Sequence, residues 1–374
     1  MKSLLHWSRP HGLLVSSVLI ASSCLFSANA HAAAPAYRFV DLGTLGGTYS
    51  SAVDVNNAGQ VVGISATAGN ASTPVTVWTN AGVSTLTTPF GDGTAASIND
   101  AGQVAGNVGG TVTVWTGGTA TFLNSAARNN FATGINSSGQ VAGYGAGSSS
   151  GPPQATVWTG GTAATLGSPD VASYAHAIND AGQVAGYVEG VPNPHATLWS
   201  GGNTIDLGTL GGVSSQARGI NNAGQVVGHS DIAGSSGAVH AALWSGSSAI
   251  DLGTLGGLDS RALDINGAGL AVGLSEFDLA SNETHATLWD GTDVIDLNTF
   301  AAGTGWTLLR ANAINDQGWI VGDSYNVLTN QGHGYVLIPV PEPEALALVL
   351  GGVAMLGLWG RRRPVAKVES AHPV

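Results

Sequence analysis

Short stretches in which apolar and polar residues alternate, broken every few positions by Gly, Asn or Asp, run from Tyr37 to Ile338. A period of two is what a strand with one packed face requires. These stretches are ordered by a repeat. Val55-Asn-Asn-Ala-Gly-Gln-Val-Val-Gly63 returns in variant form at Ile98, Ile135, Ile178, Ile220, Ile265 and Ile314, at spacings of 37 to 49 residues. A second phrase follows each copy and ends in Trp78, Trp115, Trp158, Trp199, Trp244 or Trp289, with Leu337 in the seventh copy. A third, Asp-Leu-Gly-Thr-Leu-Gly-Gly, stands intact at Asp41, Asp206 and Asp251.

Each repeat reads as four strands. The residues leading to the recurring Ile or Val form the first. Asn-x-x-Gly is a turn, with Gly59, Gly102, Gly139, Gly182, Gly224, Gly269 and Gly318 at the left-handed position. Gln-Val-Val-Gly opens the second strand, the phrase ending in Trp is the third, and Thr-Ile-Asp-Leu after a Ser-Gly-Gly turn is the fourth. A period near 43 residues with four strands matches a propeller blade, whereas the rungs of a stacked solenoid are shorter and more uniform. The expected fold is all-β: a seven-bladed β-propeller of four-stranded blades. The tryptophans would fill the gaps between neighbouring blades.

The seventh copy runs into Pro339 and Pro341 and lacks a fourth strand, while Tyr37-Arg-Phe-Val-Asp-Leu42 is a spare one ahead of the first copy. The N-terminal strand is therefore expected to close the ring against Tyr335 to Ile338, which removes exposed strand edges.

The chain ends carry different signals. Lys2 and Arg9 precede an apolar stretch from Leu13 to Phe26 and then Ser-Ala-Asn-Ala30, the order of a secretory signal peptide cut by signal peptidase after Ala30, with Ala32 as a second choice. Residues 1–30 are thus assigned as signal peptide, and residues 31–340 as the propeller. The single cysteine, Cys24, leaves with the signal, unless Ala21-Ser-Ser-Cys24 is a lipidation site. Residues 341–374 form a tail in which Pro341-Glu342-Pro343 precedes an uncharged apolar segment, 345–360, followed by Arg361-Arg362-Arg363. Sixteen residues make a transmembrane helix of about 24 Å, short against a hydrocarbon core of roughly 30 Å, and the arginines orient it with the repeats outside the cytoplasm.

From His31 to Pro343 there are five arginines, no lysine and 21 acidic residues, a formal charge of −16. Nucleic acid and anionic membrane surfaces are poor partners for such a body.

Two resemblances follow from these motifs. The tail resembles the PEP-CTERM sorting signal, which implies transient inner-membrane anchoring, processing by an exosortase, and release to a cell surface or extracellular matrix rich in exopolysaccharide. A permanent anchor is the alternative. His195-Ala-Thr-Leu-Trp199, His240-Ala-Ala-Leu-Trp244 and His285-Ala-Thr-Leu-Trp289 resemble the extracellular family named for its His-Ala-Phe repeat. Thr or Ala replaces the Phe here, and Tyr335 is the nearest match.

Candidate chemistry is sparse. His195, His240, His285 and His333 occupy one place in four repeats, so a repeated structural hydrogen bond explains them better than catalysis or a metal. Asp54-Val-Asn56 and Asp264-Ile-Asn266 start like calcium loops, but Ala58, Ala268, Ser65 and Ser275 stand where oxygen ligands belong. Asp290 and Asp293 are a solvated turn unless space brings carboxylates together. Gly143-Tyr-Gly145 has no helix after it. No catalytic residue, metal site or cofactor is expected.

The chain is thus expected to be a non-catalytic surface or matrix protein that binds polysaccharide or another matrix component. A polysaccharide hydrolase or lyase and a structural matrix filler are the alternatives. Loop length varies between the second and third strands, so a ligand is expected on that rim at Asp231, Glu276, Asp278 and Tyr325. The short turns occupy the other rim.

Overall fold

A computed structural model describes residues 36–340, apart from 89, 124–127, 147–150, 191, 235–236, 247, 281–282 and 292. Described residues are all-β: 28 strands, with 3₁₀ turns only at Ala68–Asn70 and Leu297–Phe300. Among these residues no helix is long and apolar enough to cross a membrane. The signal segment 1–30 and the tail 341–374, with its 345–360 span, lie outside them.

The strands fall into seven groups of four, each an antiparallel meander. The first strands of the seven groups are Gly46–Val55, Thr94–Ile98, Arg128–Ile135, Ser173–Ile178, Gly211–Ile220, Ser260–Ile265 and Thr307–Ile314. Six groups take all four strands from one repeat. The seventh takes three, and its fourth is Tyr37–Asp41 from the other end of the body. Tyr37 opposes Pro339 and Asp41 opposes Tyr335, antiparallel. The strand Gln331–Pro339 thus runs one residue beyond the expected Ile338, because Pro339 sits at its end, where a missing N–H breaks no ladder. One parallel bridge, Tyr49 to Gly332, joins the seventh group to the first.

Antiparallel order puts the Asn-x-x-Gly and Gly-Gly turns at one end of every sheet, and the variable loops and Asp-Leu-Gly-Thr-Leu-Gly-Gly links at the other. All seven turn glycines have φ between 73° and 86°, where a side chain would be strained. Glutamine precedes the second strand in place of opening it: Gln60 lies before Val61–Thr67 and its Oε1 accepts from Asn56 Nδ2 at 2.8 Å.

The turn asparagines link the groups. Asn56 Oδ1 accepts the N–H of Gln60, while Nδ2 donates to the backbone carbonyl of Asn99 in the next group at 3.0 Å. Asn99, Asn136, Asn179, Asn221 and Asn266 each donate forward in the same way, at 3.0–3.1 Å, and Asn315 donates back to Asn56 O at 2.9 Å. All seven are buried, 3–5% exposed, so an amide with no partner there would cost about 1–3 kcal/mol. Apolar packing follows the same order. Seven hydrophobic clusters each join two consecutive groups, one of them joining Ala313, Val321 and Val336 to Val55, Val61 and Trp78. The third-strand tryptophans sit in six of these clusters, and Tyr335 with Leu337 takes that place in the other.

Removing Tyr37–Asp41 would bare one side of Gln331–Pro339 and take away the Asp41 partner of His333. The shortened protein is expected to melt at lower temperature and to self-associate through the open edge. Thermal melts and light scattering check this, and an unchanged midpoint with a monomeric product would contradict it.

Candidate functional site

Every first strand carries a β-bulge near its end. Val53, Ala96, Thr133, His176, Arg218, Leu263 and Asn312 are the extra residues, each skipped in the pairing with the second strand. A bulge leaves one residue out of the ladder and re-aims its side chain. All seven line a single cavity of about 170 Å³.

The residues beside the bulge explain its recurrence. Alanine precedes it in every group (Ala52, Ala95, Ala132, Ala175, Ala217, Ala262 and Ala311), and each alanine pairs with a second-strand glycine. At Gly186 an added Cβ would overlap the carbonyl oxygen of Tyr174, and the same holds at Gly63, Gly143 and Gly273 against Ser51, Phe131 and Arg261. The last glycine of Gln-Val-Val-Gly therefore lets the bulged strand approach. Framework positions stay nearly constant while the bulge position ranges over Val, Ala, Thr, His, Arg, Leu and Asn.

Titratable groups around the cavity are displaced from their ordinary ranges. Burial pushes the Asp54 carboxyl up to about 6, against the hydrogen bonds it accepts from Ser97 Oγ at 2.7 Å and Ile98 N at 2.8 Å. Burial, and then the Asp54 charge, pushes Asp264 up to about 7, while it accepts from Ile314 N at 2.9 Å. These two aspartates thus join neighbouring groups, which replaces the calcium-loop role weighed from sequence. Burial, with the Arg218 charge second, holds His176 and His229 down to about 3.

Beyond the cavity, toward the loop end of the sheets, its surroundings differ. On one side Tyr174 stacks on Tyr187 with ring centres 4.7 Å apart, Tyr144 meets Tyr174 edge-on at 5.0 Å, and Phe131 lies 5.3 Å from Tyr144. His176 stacks on Tyr187 at 5.6 Å. Arg218 and Arg261 stand near enough for their charges to act on each other and on His229. Burial, then the charge of Tyr174, pushes the Tyr187 hydroxyl up to about 12.

At the turn end, a second cavity of about 240 Å³ is lined by the seven linking asparagines and by Asn57, Asp100, Ser137, Asp180, Asn222, Gly267 and Asp316. Its carboxylates are already engaged. Asp100 accepts from Asn57 N, Asp180 from Ser137 N and Asp316 from Gly267 N, at 2.7–2.9 Å.

The residues singled out on the variable rim do lie at the loop end. Asp231, Glu276 and Tyr325 hold one equivalent register at the ends of three consecutive second strands, with Asp278 in the loop beyond Glu276. Each has a local partner. Asp231 accepts from Ser214 Oγ at 2.7 Å, Glu276 from Leu258 N at 3.1 Å and Asp278 from Ala280 N at 2.7 Å, while Tyr325 donates to Asn330 at 2.6 Å. They are spread over three groups and line no cavity in common among the described residues, whereas the bulge residues share one cavity. The sorting residues Pro341, Glu342, Pro343, Arg361, Arg362 and Arg363 lie outside the described residues.

The four repeated histidines each meet an aspartate through Nδ1 at 2.8 Å: His195 with Asp206, His240 with Asp251, His285 with Asp296, and His333 with Asp41. In all four pairs a carboxylate oxygen also accepts the backbone N–H two residues on, at Gly43, Gly208, Gly253 and Asn298. The pair pins the third strand to the fourth. His195 and Asp206 also line a cavity of about 530 Å³, with Val188, Pro192, Asn193 and Val213. Asp290 and Asp293 face each other across a hairpin turn.

No family model and no curated protein matches this chain. Among solved structures it is similar to TolB from Acinetobacter baumannii, at 10% sequence identity and a TM-score of 0.43, over 76% of this chain and 64% of that one. The chain spans less than two thirds of the TolB chain's length.

The displaced groups give a signed pH dependence. Asp54 and Asp264 ionise near 3.8 when unfolded and near 6 and 7 when folded, so the folded chain holds more protons in that window. Their contribution falls as pH rises through it. His176 and His229 ionise near 6.5 unfolded and near 3 folded, so theirs rises with pH between those values. The two trends oppose each other at mildly acidic pH. In a His176→Gln, His229→Gln variant the rising part is gone, and its melting temperature relative to the parent should fall from pH 4 to pH 6.5. Calorimetry at matched ionic strength checks the sign.

Proposed function

We propose that this chain is an exported, exosortase-sorted surface or matrix protein whose body is a closed seven-bladed propeller that binds polysaccharide without catalysis. The carrying observation is the cavity shared by seven bulge residues, because the near-identical units differ most in chemistry at the place where they converge. A framework that repeats while one converging position varies builds an asymmetric site on a symmetric scaffold. The asparagine links that return from Asn315 to Asn56 and the seven inter-group clusters support closure.

The rest of the reading draws on the two ends. A signal peptide over 1–30 and a PEP-CTERM-like tail over 341–374 imply export, signal peptidase and exosortase as partners, and a matrix destination. Val340 N donates to Ala36 O at 2.8 Å, so both ends of the body meet at the turn end of the sheets. A tail anchored there leaves the loop end, with its aromatic and guanidinium walls, turned away from the membrane. Asp231, Glu276, Asp278 and Tyr325 then stand on the outward rim as secondary contacts.

A second reading, a polysaccharide hydrolase or lyase, is favoured by one observation: Asp54 and Asp264 carry carboxyls raised to about 6 and 7 beside the cavity. Such values suit an acid or base. Purified protein on a glycan array, followed by a turnover assay, separates the readings. Binding without release of shorter chains is expected. Release that disappears in Asp264→Asn would establish the enzyme, and no binding at all would leave a structural filler.

Loss of residues 345–374 should move the protein from the membrane to the soluble fraction. Retention of the truncated protein in washed membranes would refute the anchoring role of the tail.

A further inference from the structure

The body carries five arginines against 21 acidic residues, yet Arg218, which lines the shared cavity, Arg261 and Arg310 stand on the first strands of three consecutive groups. Arg310 is neutralised by Asp323 at 2.6 Å. Arg218 and Arg261 form no ion pair among the described residues. The Nη2 of Arg218 reaches Gln216 Oε1 at 3.1 Å, but its Nε is buried without a hydrogen-bond partner. His176 Nε2 and His229 Nδ1 are buried and unpartnered in the same neighbourhood.

Buried polar atoms without partners are costly, about 1–3 kcal/mol each and more near a charge. Three of them around one guanidinium, in a protein with acidic residues to spare, are groups that an incoming acceptor would satisfy. The Asp54 and Asp264 carboxyls that line the cavity are spent on Ile98 and Ile314. Glu189 lies against Tyr174 and adds to the rise of its hydroxyl. Next to these donors stands the aromatic wall of Tyr187, Tyr174 and Tyr144, with Phe131 43% exposed at its edge. Flat rings match the apolar C–H face of a pyranose, and a guanidinium fork matches a carboxylate.

We infer that this pocket binds an acidic sugar residue, a hexuronate, with its ring against the tyrosine wall and its carboxylate taking the open donors of Arg218, His176 and His229. Arg261, exposed at the entrance, attracts the anionic chain. The inference deepens the polysaccharide-binding reading and rests on it.

Calorimetric titration of the full-length protein in detergent with tetragalacturonate, a sulfated dextran oligosaccharide and cellotetraose tests it. Tetragalacturonate is expected to bind tightest, and Arg218→Met to weaken it roughly ten- to hundredfold, the value of one charged hydrogen-bond partner. Arg261→Met, a surface change that leaves the fold intact, should slow association and flatten its salt dependence. Tyr187→Ala should weaken every glycan that binds. Equal affinity for cellotetraose and tetragalacturonate would overturn the acidic-sugar assignment while leaving glycan binding standing. Tighter binding of the sulfated chain would overturn the carboxylate. Full affinity in a folded Arg218→Met together with Arg261→Met would place the site elsewhere, and no binding of any of the three would overturn the polysaccharide reading as well.

Discussion

The architecture depends on one hydrogen bond repeated in every unit: a buried asparagine amide that caps its own turn and reaches the backbone of the next unit. Both halves of the amide are committed. The oxygen makes the turn, and the nitrogen makes the link, so a unit cannot adopt its turn without presenting the donor its neighbour needs. Local and long-range structure are thus specified by the same atoms, which is the consistency that gives a single folded state. Aspartate has no N–H to donate, and serine cannot reach both partners.

Around that constraint the molecule separates what must be constant from what is free. Alanine and glycine facing each other across the first two strands let the backbones approach and force the bulge. The bulged residue is relieved of ladder bonding, so strand propensity does not dictate its identity, although Ala96 packs between units and Thr133 and Asn312 each donate to the backbone of the next one. Valine, alanine and leucine keep part of the cavity dry, while threonine, histidine, arginine and asparagine give the remainder its chemistry. Repetition builds the frame, and the loss of repetition at one position per unit builds the site.

Much of the frame was legible in the residue order. Asn-x-x-Gly announced a turn with a left-handed glycine, the 43-residue period announced four strands, and the spare strand Tyr37-Arg-Phe-Val-Asp found the last repeat. The repeated histidines, expected from their recurrence to make a repeated structural hydrogen bond, each meet their own aspartate. The site was not legible. Bulge residues more than 35 positions apart meet only in the folded chain, and nothing local distinguishes Arg218 or His176 from an outward-facing neighbour. The signal was present but indirect. An alanine before, a glycine opposite and an unmatched residue between them recur seven times, and that pattern of constant and variable positions identifies the cavity once the bulge is known. Loop length pointed to Asp231 and Glu276 on the variable rim, whose carboxylates also accept hydrogen bonds from their own links.

The composite seventh sheet also decides how the molecule would bear a load. Gln331–Pro339 is an inner strand, bonded to Ile320–Asn326 on one side and Tyr37–Asp41 on the other. Tension entering at Val340 would act along that strand, so both ladders would have to slide at once. An edge strand pulled from its end would peel one bond at a time. Resistance to forced unfolding is set by the barrier and not by equilibrium stability. A body tethered through this strand would therefore hold against drag on whatever its far side has captured, with the N-terminal strand acting as the second flange of the clamp.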